Sequence, residues 1–473
     1  MTELTSTHAI SWLDQHWDTL LDDLCELATI AGVSAEPPPS AELHKSARAV
    51  AQLLTDAGLE NVKILNVEGG HPNVYADWLH ADGAPTVLLY AHHDVQPPGD
   101  RHRWESDPFV PTWRVDTHGH NRLYARGIVD DKAGVMMHVA ACAAYLKTTG
   151  SLPVNVKILI EGEEEIGSPT LLDFLSLHRD QLASDVLVLT DTANLDQGVA
   201  SLTTSLRGIV TVQVHVRALE KPLHSGMWGG PVPDPVVALS RAITALTDDQ
   251  GVLRAEFWQG VRPLTQEETH ALGQLPYQEA QFREHAGIVG DARLVGDASA
   301  PLWARVWRQP SVAVLAMQAR PIEGSSNQIV DRASARISIR IVPDQDPAVM
   351  TRALADHFRT HVPWDLQTEV IEEQGAGPWR TNPEGPAFDA ALRALERGYG
   401  TPAVFIGCGG TIPFVEPFTR VFAGAPALLV GLEDPRCGAH SENESLYVDD
   451  WKKGIRSLVH LLHELRSAVT PRA

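Results

Sequence analysis

The sequence predicts an α/β protein with a mainly parallel sheet flanked by helices, interrupted by an inserted α+β domain with an antiparallel sheet. Three observations carry this reading. Short, almost wholly apolar runs such as Val87-Leu88-Leu89-Tyr90-Ala91 recur early and late in the chain, as strands buried on both faces of a parallel sheet do. Segments with apolar residues at helical spacing alternate with them. Between them, 209–216 and 335–341 alternate apolar and polar residues, the pattern of an antiparallel sheet with one exposed face. The organisation that follows is an α/β domain over 1–205, an insertion over 206–375, and the remainder of the first domain over 376–473. A chain of 473 residues, 44% hydrophobic, has the material for two cores.

Taken in order, Ile10, Leu13, Trp17, Leu20, Leu21, Leu24 and Leu27 predict an amphipathic helix over 8–30. Glu36-Pro37-Pro38-Pro39 closes it as a stiff loop. A second helix starts near Ser40, turns Leu43, Ala47, Val50, Leu53 and Leu54 inward, and stops at Gly58, a C-cap. Strands are expected at 62–67, 73–79 and 86–91. The stretch 97–120, rich in Pro, Asp, His and Trp, reads as a loop over the carboxyl edge of the sheet, where α/β proteins place their sites. A helix over 132–147 and strands at 154–160 and 185–190 follow. The insertion holds helices at 234–246 and 347–360 and a strand at 367–371, while 248–310 shows no pattern. A helix at 386–398, a strand at 403–406, the turn Cys408-Gly409-Gly410-Thr411, a strand at 427–431 and a helix at 448–468 complete the chain.

Composition excludes several function classes. A net charge of -22, from 38 basic and 60 acidic residues, argues against nucleic acid and anionic membrane as partners. No apolar run approaches the roughly 20 residues that span a bilayer, and Met1 to Ile10 lacks the basic and apolar regions of a signal peptide. Cys25, Cys142, Cys408 and Cys437 are scattered without a CxxC pair, so neither a disulfide framework nor a thiolate zinc site is indicated. The expectation is a cytoplasmic protein with reduced thiols.

Several strands end in side chains that bind metals. His92 and Asp94 follow the run 87–91 and point the same way, and a metal-bound imidazole usually donates its second N–H to an orienting carboxylate. Asp130 and Asp131 precede a helix, where acids also serve the helix dipole. Glu161, Glu163, Glu164 and Glu165 stand at the mouth of a strand and repel one another unless cations are present. Asp191 ends another strand, and His440 lies in the loop before the last helix. Carboxylates with two imidazoles and no thiolate suit a hydrolytic pair of divalent ions better than a structural zinc. Such a pair, about 3.5 to 4 Å apart and bridged by one carboxylate, brings the pKa of water toward about 7 and polarises a carbonyl. A further carboxylate must move protons. Of Glu164 and Glu165, one can ligate while its neighbour acts as base.

The motifs Ala91 to Pro97, Arg126 to Lys132, Glu161 to Ser168, Asp191, His224-Ser225-Gly226, Ser326 to Ile329, Arg340 and Gly438 to Asn443 occur in one order. In that order, over about residues 10–465, the chain resembles the co-catalytic dinuclear zinc amidohydrolases and exopeptidases. These include carnosinase-like dipeptidases, aminoacylases, glutamate carboxypeptidase and succinyl-diaminopimelate desuccinylase. The resemblance implies a zinc-exopeptidase-like fold and two Zn2+ per chain, with Mn2+ or Co2+ as substitutes. It implies His92 and Asp191 on one ion, Glu165 and His440 on the other, and Asp130 bridging. Glu164 would be the general base and Asp94 the orienter of His92. The insertion would be a lid that mediates homodimerisation, with His224 reaching the partner's site. Asn327 and Arg340 would hold the substrate, Arg340 through its carboxylate, with backbone groups lent by Gly410 and Thr411.

Asp131 stays outside this assignment as a helix-start acid, and His102, His118 and His120 match no motif and read as solvated. Ala125 stands where many relatives have glycine, and Ala133 separates Lys132 from Gly134, departures that bear on loop fit. The Asp130-Asp131-Lys132 and Glu161-Gly162-Glu163-Glu164-Glu165 motifs and the long insertion resemble the dipeptidase branch. The implied activity is hydrolysis of dipeptides or small peptides, with an N-acyl-amino-acid hydrolase or desuccinylase as the alternative. A catalytically silent binding protein would lack the base or a ligand, and none is missing. An acidic metal buffer would not place ligands at strand ends.

Overall fold

Leucine spacing in the first helix sets how it packs. It forms as Leu4–Ala28, with Leu13, Leu20, Leu24 and Leu27 buried, each such side chain worth roughly 1.5–3 kcal/mol of burial. The second, Ala41–Ala57, is capped by Ser40, whose side chain accepts the Leu43 N–H, and ends on Gly58 at φ +100°, a conformation that favours glycine. The computed structural model describes residues 4–35, 39–422 and 424–471; residues 36–38 of the expected proline loop lie outside them. The chain divides into two compact units, Met1–Thr204 with Thr381–Ile406 and Ile412–Ala473, and Ser205–Arg380 with Gly407–Thr411.

In the first unit the sheet runs Glu60–Leu65, Asn73–Trp78, Asn155–Glu161, Thr86–His92, Val186–Leu189, Ala427–Val430, Ser201–Leu206. Its central strands are parallel: Thr86–His92 pairs with both Asn155–Glu161 and Val186–Leu189, and Val186–Leu189 with Ala427–Val430. The register sets His92 beside Glu161, so the two strands empty at one edge. The helix Ala133–Thr149 packs against Leu4–Ala28 and Val448–Ala468 and is buried from Ala133 to Tyr145. Its alanines let the neighbours close in, and an all-round apolar helix is stable only when so enclosed. Trp451 locks this layer from the last helix, its Nε1–H donating to the Ala133 carbonyl at 3.1 Å.

The stretch 97–120 is not all loop. Thr112–Val115 is a strand paired antiparallel with Asn121–Tyr124, which in turn pairs with Ser445–Leu446. Asp130 therefore follows a strand of this small sheet and not one of the main sheet. A four-residue strand alternating half-buried and exposed positions is too short to stand out from turn residues.

The second unit is an antiparallel sheet in the order Ser311–Gln318, Arg332–Ile341, Gly208–Arg217, Gln367–Glu372. Val210, Val212, Val214 and Val216 face a core shared with Ile337, Ile339, Leu239, Leu354 and Phe358. The helices Pro235–Thr244 and Pro347–His361 each begin with an aspartate N-cap followed by proline at the first helical position. The patternless stretch 248–310 contains Gln266–Gly273, Glu279–His285 and Leu302–Trp307. Helices this short present too few turns for a periodic face. Instead Glu268 draws in Arg262, Arg308 and Arg380, and Trp303 stacks on Trp307 at 4.5 Å. Among the described residues no helix is long and apolar enough to cross a membrane.

Candidate metal centre

Asp130 sits between two imidazoles. Its Oδ1 lies 3.0 Å from His92 Nε2, and its Oδ2 lies 3.0 Å from His440 Nε2. On the first side Asp191 Oδ2 is 3.9 Å from His92 Nε2; on the second Glu165 Oε2 is 3.0 Å from His440 Nε2. Two potential ligand groups result, His92, Asp130 and Asp191, and Asp130, Glu165 and His440, each with its donor atoms within 4.8 Å of one another. Asp130 belongs to both. His440 lies at φ +63°, unusual for a residue with a side chain, and Arg126 Nη2 holds the adjacent Ser441 carbonyl at 3.1 Å.

The neighbouring residues hold these groups in place. His92 Nδ1 lies 3.0 Å from the Asp94 carbonyl and 3.5 Å from its Oδ1, while the Asp94 carboxylate accepts the N–H groups of Glu164 and Glu165 at 3.3 and 3.1 Å. Asp94 thus ties the end of one strand to the end of the next. The four acids of 161–165 separate by partner. Glu161 accepts the Tyr90 hydroxyl at 2.6 Å, and Glu163 accepts Thr170 and the His71 N–H, so both are structural. Glu165 accepts the Gln96 N–H at 3.1 Å and its Nε2–H at 2.8 Å besides facing His440. The Glu164 carboxylate has no hydrogen-bond partner among the described residues.

Asp131 is no helix-start acid. It is fully buried, accepts the His92 N–H at 3.2 Å, and makes no side-chain cap on the helix that follows. A first side-chain carbon at Gly134 would lie 1.9 Å from Asp131 Oδ1, so the glycine there is demanded by this carboxylate. His102 and His118 are exposed, and His120 Nδ1 pairs with Asp116 at 3.6 Å.

Three residues at the centre escaped the sequence reading. Glu444, fully buried, accepts Arg126 Nη1 at 2.7 Å and the N–H groups of Gly127, Val129 and Asp130 at 2.8, 3.0 and 3.2 Å. It stands one residue past the Gly438 to Asn443 motif. Gln96 lay inside a motif but had no role there. Glu433 follows the strand Ala427–Val430 and bridges to Ala193, two residues after Asp191. An acid at the end of a buried strand singled out Asp191, and the same signal would have found Glu433.

The electrostatics call for cations. Burial, and next Asp191, push the Glu164 carboxyl well above its usual range. Burial, with Asp130 and Glu165 adding, pushes Asp191 up to about 7, and burial followed by Asp130 and Asp191 raises Glu433. Hydrogen bonds to Asp130 and Glu165 lift His440 to about 11. Burial works against charge on His92 as well, but Asp130 and Asp94 more than offset it. All these perturbations are relieved by positive charge where the five side chains meet, and hard oxygens with imidazole form the donor set of divalent ions.

In the second unit, Leu223–His224 pairs with Gln328–Ile329. His224 is exposed, its Nδ1 accepting the Gly226 N–H at 3.1 Å, and Asn327 is exposed with its carbonyl accepting the Ser225 N–H at 2.9 Å. Arg340 Nη1 donates to Thr411 Oγ1 at 3.1 Å, and Gly410 and Thr411 are half-buried.

Comparison with known proteins identifies the family. The profile of peptidase family M20/M25/M40 matches residues 88–464. A cysteinylglycine-S-conjugate dipeptidase of Corynebacterium striatum is 28% identical over 431 residues, 91% of each chain. A Cys-Gly metallodipeptidase of Schizosaccharomyces pombe is 30% identical over 405 residues, 84% of this chain and 83% of that protein. The crystal structure of human carnosine dipeptidase 1 superposes with a TM-score of 0.84 at 26% identity, covering 98% of each chain. The chain belongs to peptidase family M20/M25/M40 and is a metallopeptidase, a hydrolase of peptide bonds.

Proposed function

We propose that this member of the M20 peptidases is a dinuclear zinc dipeptidase. The observation that carries the reading is Asp130, whose two oxygens face two imidazoles in two separate ligand groups. The dipeptidases among its relatives support the substrate class.

In this reading His92 and Asp191 would hold one Zn2+ and Glu165 and His440 the other, with Asp130 serving both groups. Bound there, the ions would supply a water acidic enough to attack near neutral pH and a Lewis acid for the scissile carbonyl. Glu164 accepts the proton of the attacking water and passes it to the leaving amine. Its lack of a hydrogen-bond partner supports that role, since Glu165 beside it is tied to Gln96 and His440. Asp94 fixes His92 and, through the N–H groups of Glu164 and Glu165, sets the base and the ligand relative to that imidazole. Arg340 takes the substrate's terminal carboxylate, with Asn327, Gly410 and Thr411 contributing polar groups. His224 of the partner subunit donates to the developing oxyanion, a contribution typically worth about 2.7–4 kcal/mol. A homodimer through the second unit is supported by its edge strand Ser311–Gln318, where Val314, Leu315 and Met317 are 45%, 47% and 47% exposed. A cytosolic location is supported by cysteines that form no disulfide among the described residues.

The test is hydrolysis of a dipeptide panel with free and blocked N-termini, with metal content measured on the same sample. Activity that falls with the loss of about two metals per chain and returns with zinc is the expected result. Preference for blocked N-termini would replace the dipeptidase by an N-acyl hydrolase. A protein that binds no metal would overturn the assignment of the centre.

A further inference from the structure

Arg207 and Arg340 lie at one end of the second unit's sheet. Arg340 pairs across the ladder with Ile209, two residues from Arg207, and on its other side with Ser311. Both are half-buried. Among the described residues neither meets a carboxylate: the charges acting on Arg207 are Arg340 and the Cys408 thiol, and on Arg340 the same thiol. Burial, and then Arg340, push Arg207 down to about 10, and burial lowers Arg340 as well. Even a half-buried guanidinium without a counter-ion carries a desolvation cost, and the mutual repulsion of two adds to it, unless a ligand supplies negative charge.

The hydrogen bonds join the two into one unit. Arg207 Nε donates to the Gly409 carbonyl at 3.0 Å and Nη1 to Ser311 Oγ at 2.9 Å. Its own carbonyl accepts Thr411 Oγ1, the same oxygen that accepts Arg340 Nη1 at 3.1 Å. Arg207 Nη2 and Arg340 Nε and Nη2 have no partner among the described residues, and none is an enclosed orphan atom. A side chain at position 409 would start 3.1 Å from Arg207 Nη2, so glycine leaves that end of the fork open.

We propose that the Arg207 side chain is a second binding residue for the substrate's terminal carboxylate: with Arg340, which Thr411 holds against the Arg207 backbone carbonyl, it forms a two-guanidinium receptor for that anion. The inference rests on the dipeptidase reading for the identity of the carboxylate. An arginine fork serves a planar anion in a way that a point charge does not. Arg207→Lys should therefore keep part of the effect and Arg207→Gln little.

The experiment uses the purified full-length protein with its metals. Calorimetry measures binding of N-acetylglycine and of its amide, and kinetics compare a dipeptide with the same dipeptide amidated at its C-terminus. The wild type is expected to favour the acids, and Arg207→Gln to cut the acid-over-amide ratio by about tenfold or more, the value of a hydrogen bond to a charged group. That loss falls on KM and binding, with kcat, metal content and the amide's own affinity unchanged; Arg207→Lys, which keeps the charge if the glutamine variant folds poorly, lies between. An unchanged ratio, or equal loss for acid and amide, would mean that Arg207 only props the turn. If no dipeptide is hydrolysed but acid binding still depends on Arg207, the dipeptidase reading fails and this inference stands.

Discussion

Glu444 holds the backbone of Asp130: its carboxylate accepts the Asp130 N–H at 3.2 Å. The N–H groups of Gly127 and Val129 and the guanidinium of Arg126 converge on the same carboxylate. Asp130 does not hang from the main sheet, so this cluster is what aims it. Glu444→Gln removes the charge and weakens the grip, and metal affinity is expected to fall about 10–100-fold, as for other partners that orient metal ligands. Glu444→Ala leaves Arg126 buried and unpaired and should cost about 3–5 kcal/mol of stability. Competition against a chromophoric chelator measures the first and denaturant unfolding the second; full metal affinity in both variants would remove Glu444 from the centre.

Glu164 and Glu165 are neighbours with different environments, so their glutamine variants should separate. Glu164→Gln is expected to keep its metals and lose about 10²–10⁴-fold in kcat, the usual worth of a positioned proton carrier. Glu165→Gln is expected to lose metal on the His440 side. Metal analysis and turnover on the same samples decide it, and near-normal turnover in Glu164→Gln would mean that another group carries the proton.

The edge strand Ser311–Gln318 exposes Leu315 and Met317, and the proposed homodimer would form there. Charges placed there block edge-to-edge pairing. The double variant Leu315→Glu, Met317→Lys should elute as a monomer in sizing with light scattering, bind zinc as the wild type does, and hydrolyse peptides poorly if His224 acts across the dimer. A fully active monomer would place His224 outside the reaction.

His138 tests the core and not the site. Its Nε2 lies 2.9 Å from the Tyr90 carbonyl and 3.1 Å from Thr190 Oγ1, its Nδ1 is enclosed without a partner, and burial pushes its pKa down to about 4. Between about 4 and the ordinary 6.5 the unfolded chain takes up a proton there that the folded chain does not, so stability falls as pH drops through that window. The full cost is about 3 kcal/mol, reached below pH 4. His138→Gln keeps a donor for Tyr90 but cannot titrate. Denaturant midpoints measured from pH 7.5 to 5 should fall more steeply in the wild type than in this variant; parallel profiles would show that His138 does not carry the slope.

What the sequence determined alone is the set of parallel strands and the residue types at their ends. Apolar runs such as Val87 to Ala91 can only be buried on both faces, and the polar residues that follow must then emerge at the sheet edge, His92 and Asp191 among them. The last helix, Val448–Ala468, and the change to alternating strands beyond Ser205 were legible for the same reason, since local periodicity reports burial directly.

Tertiary structure decided what periodicity does not encode, namely which acid meets which partner. Adjacency marked Glu164 and Glu165 as a base and ligand pair, but that Glu161 belongs to Tyr90, Glu163 to Thr170, and Glu165 to Gln96 and His440 is set only by the fold. Asp131 read as a helix-start acid, and the fold instead buries it against the His92 N–H. Arg126 and Glu444 stand 318 residues apart in sequence, and Arg207 and Thr411 stand 204 apart. A hydrogen bond closes over a few ångströms whatever the separation along the chain, so pairings of this kind exist only once both segments are folded into place.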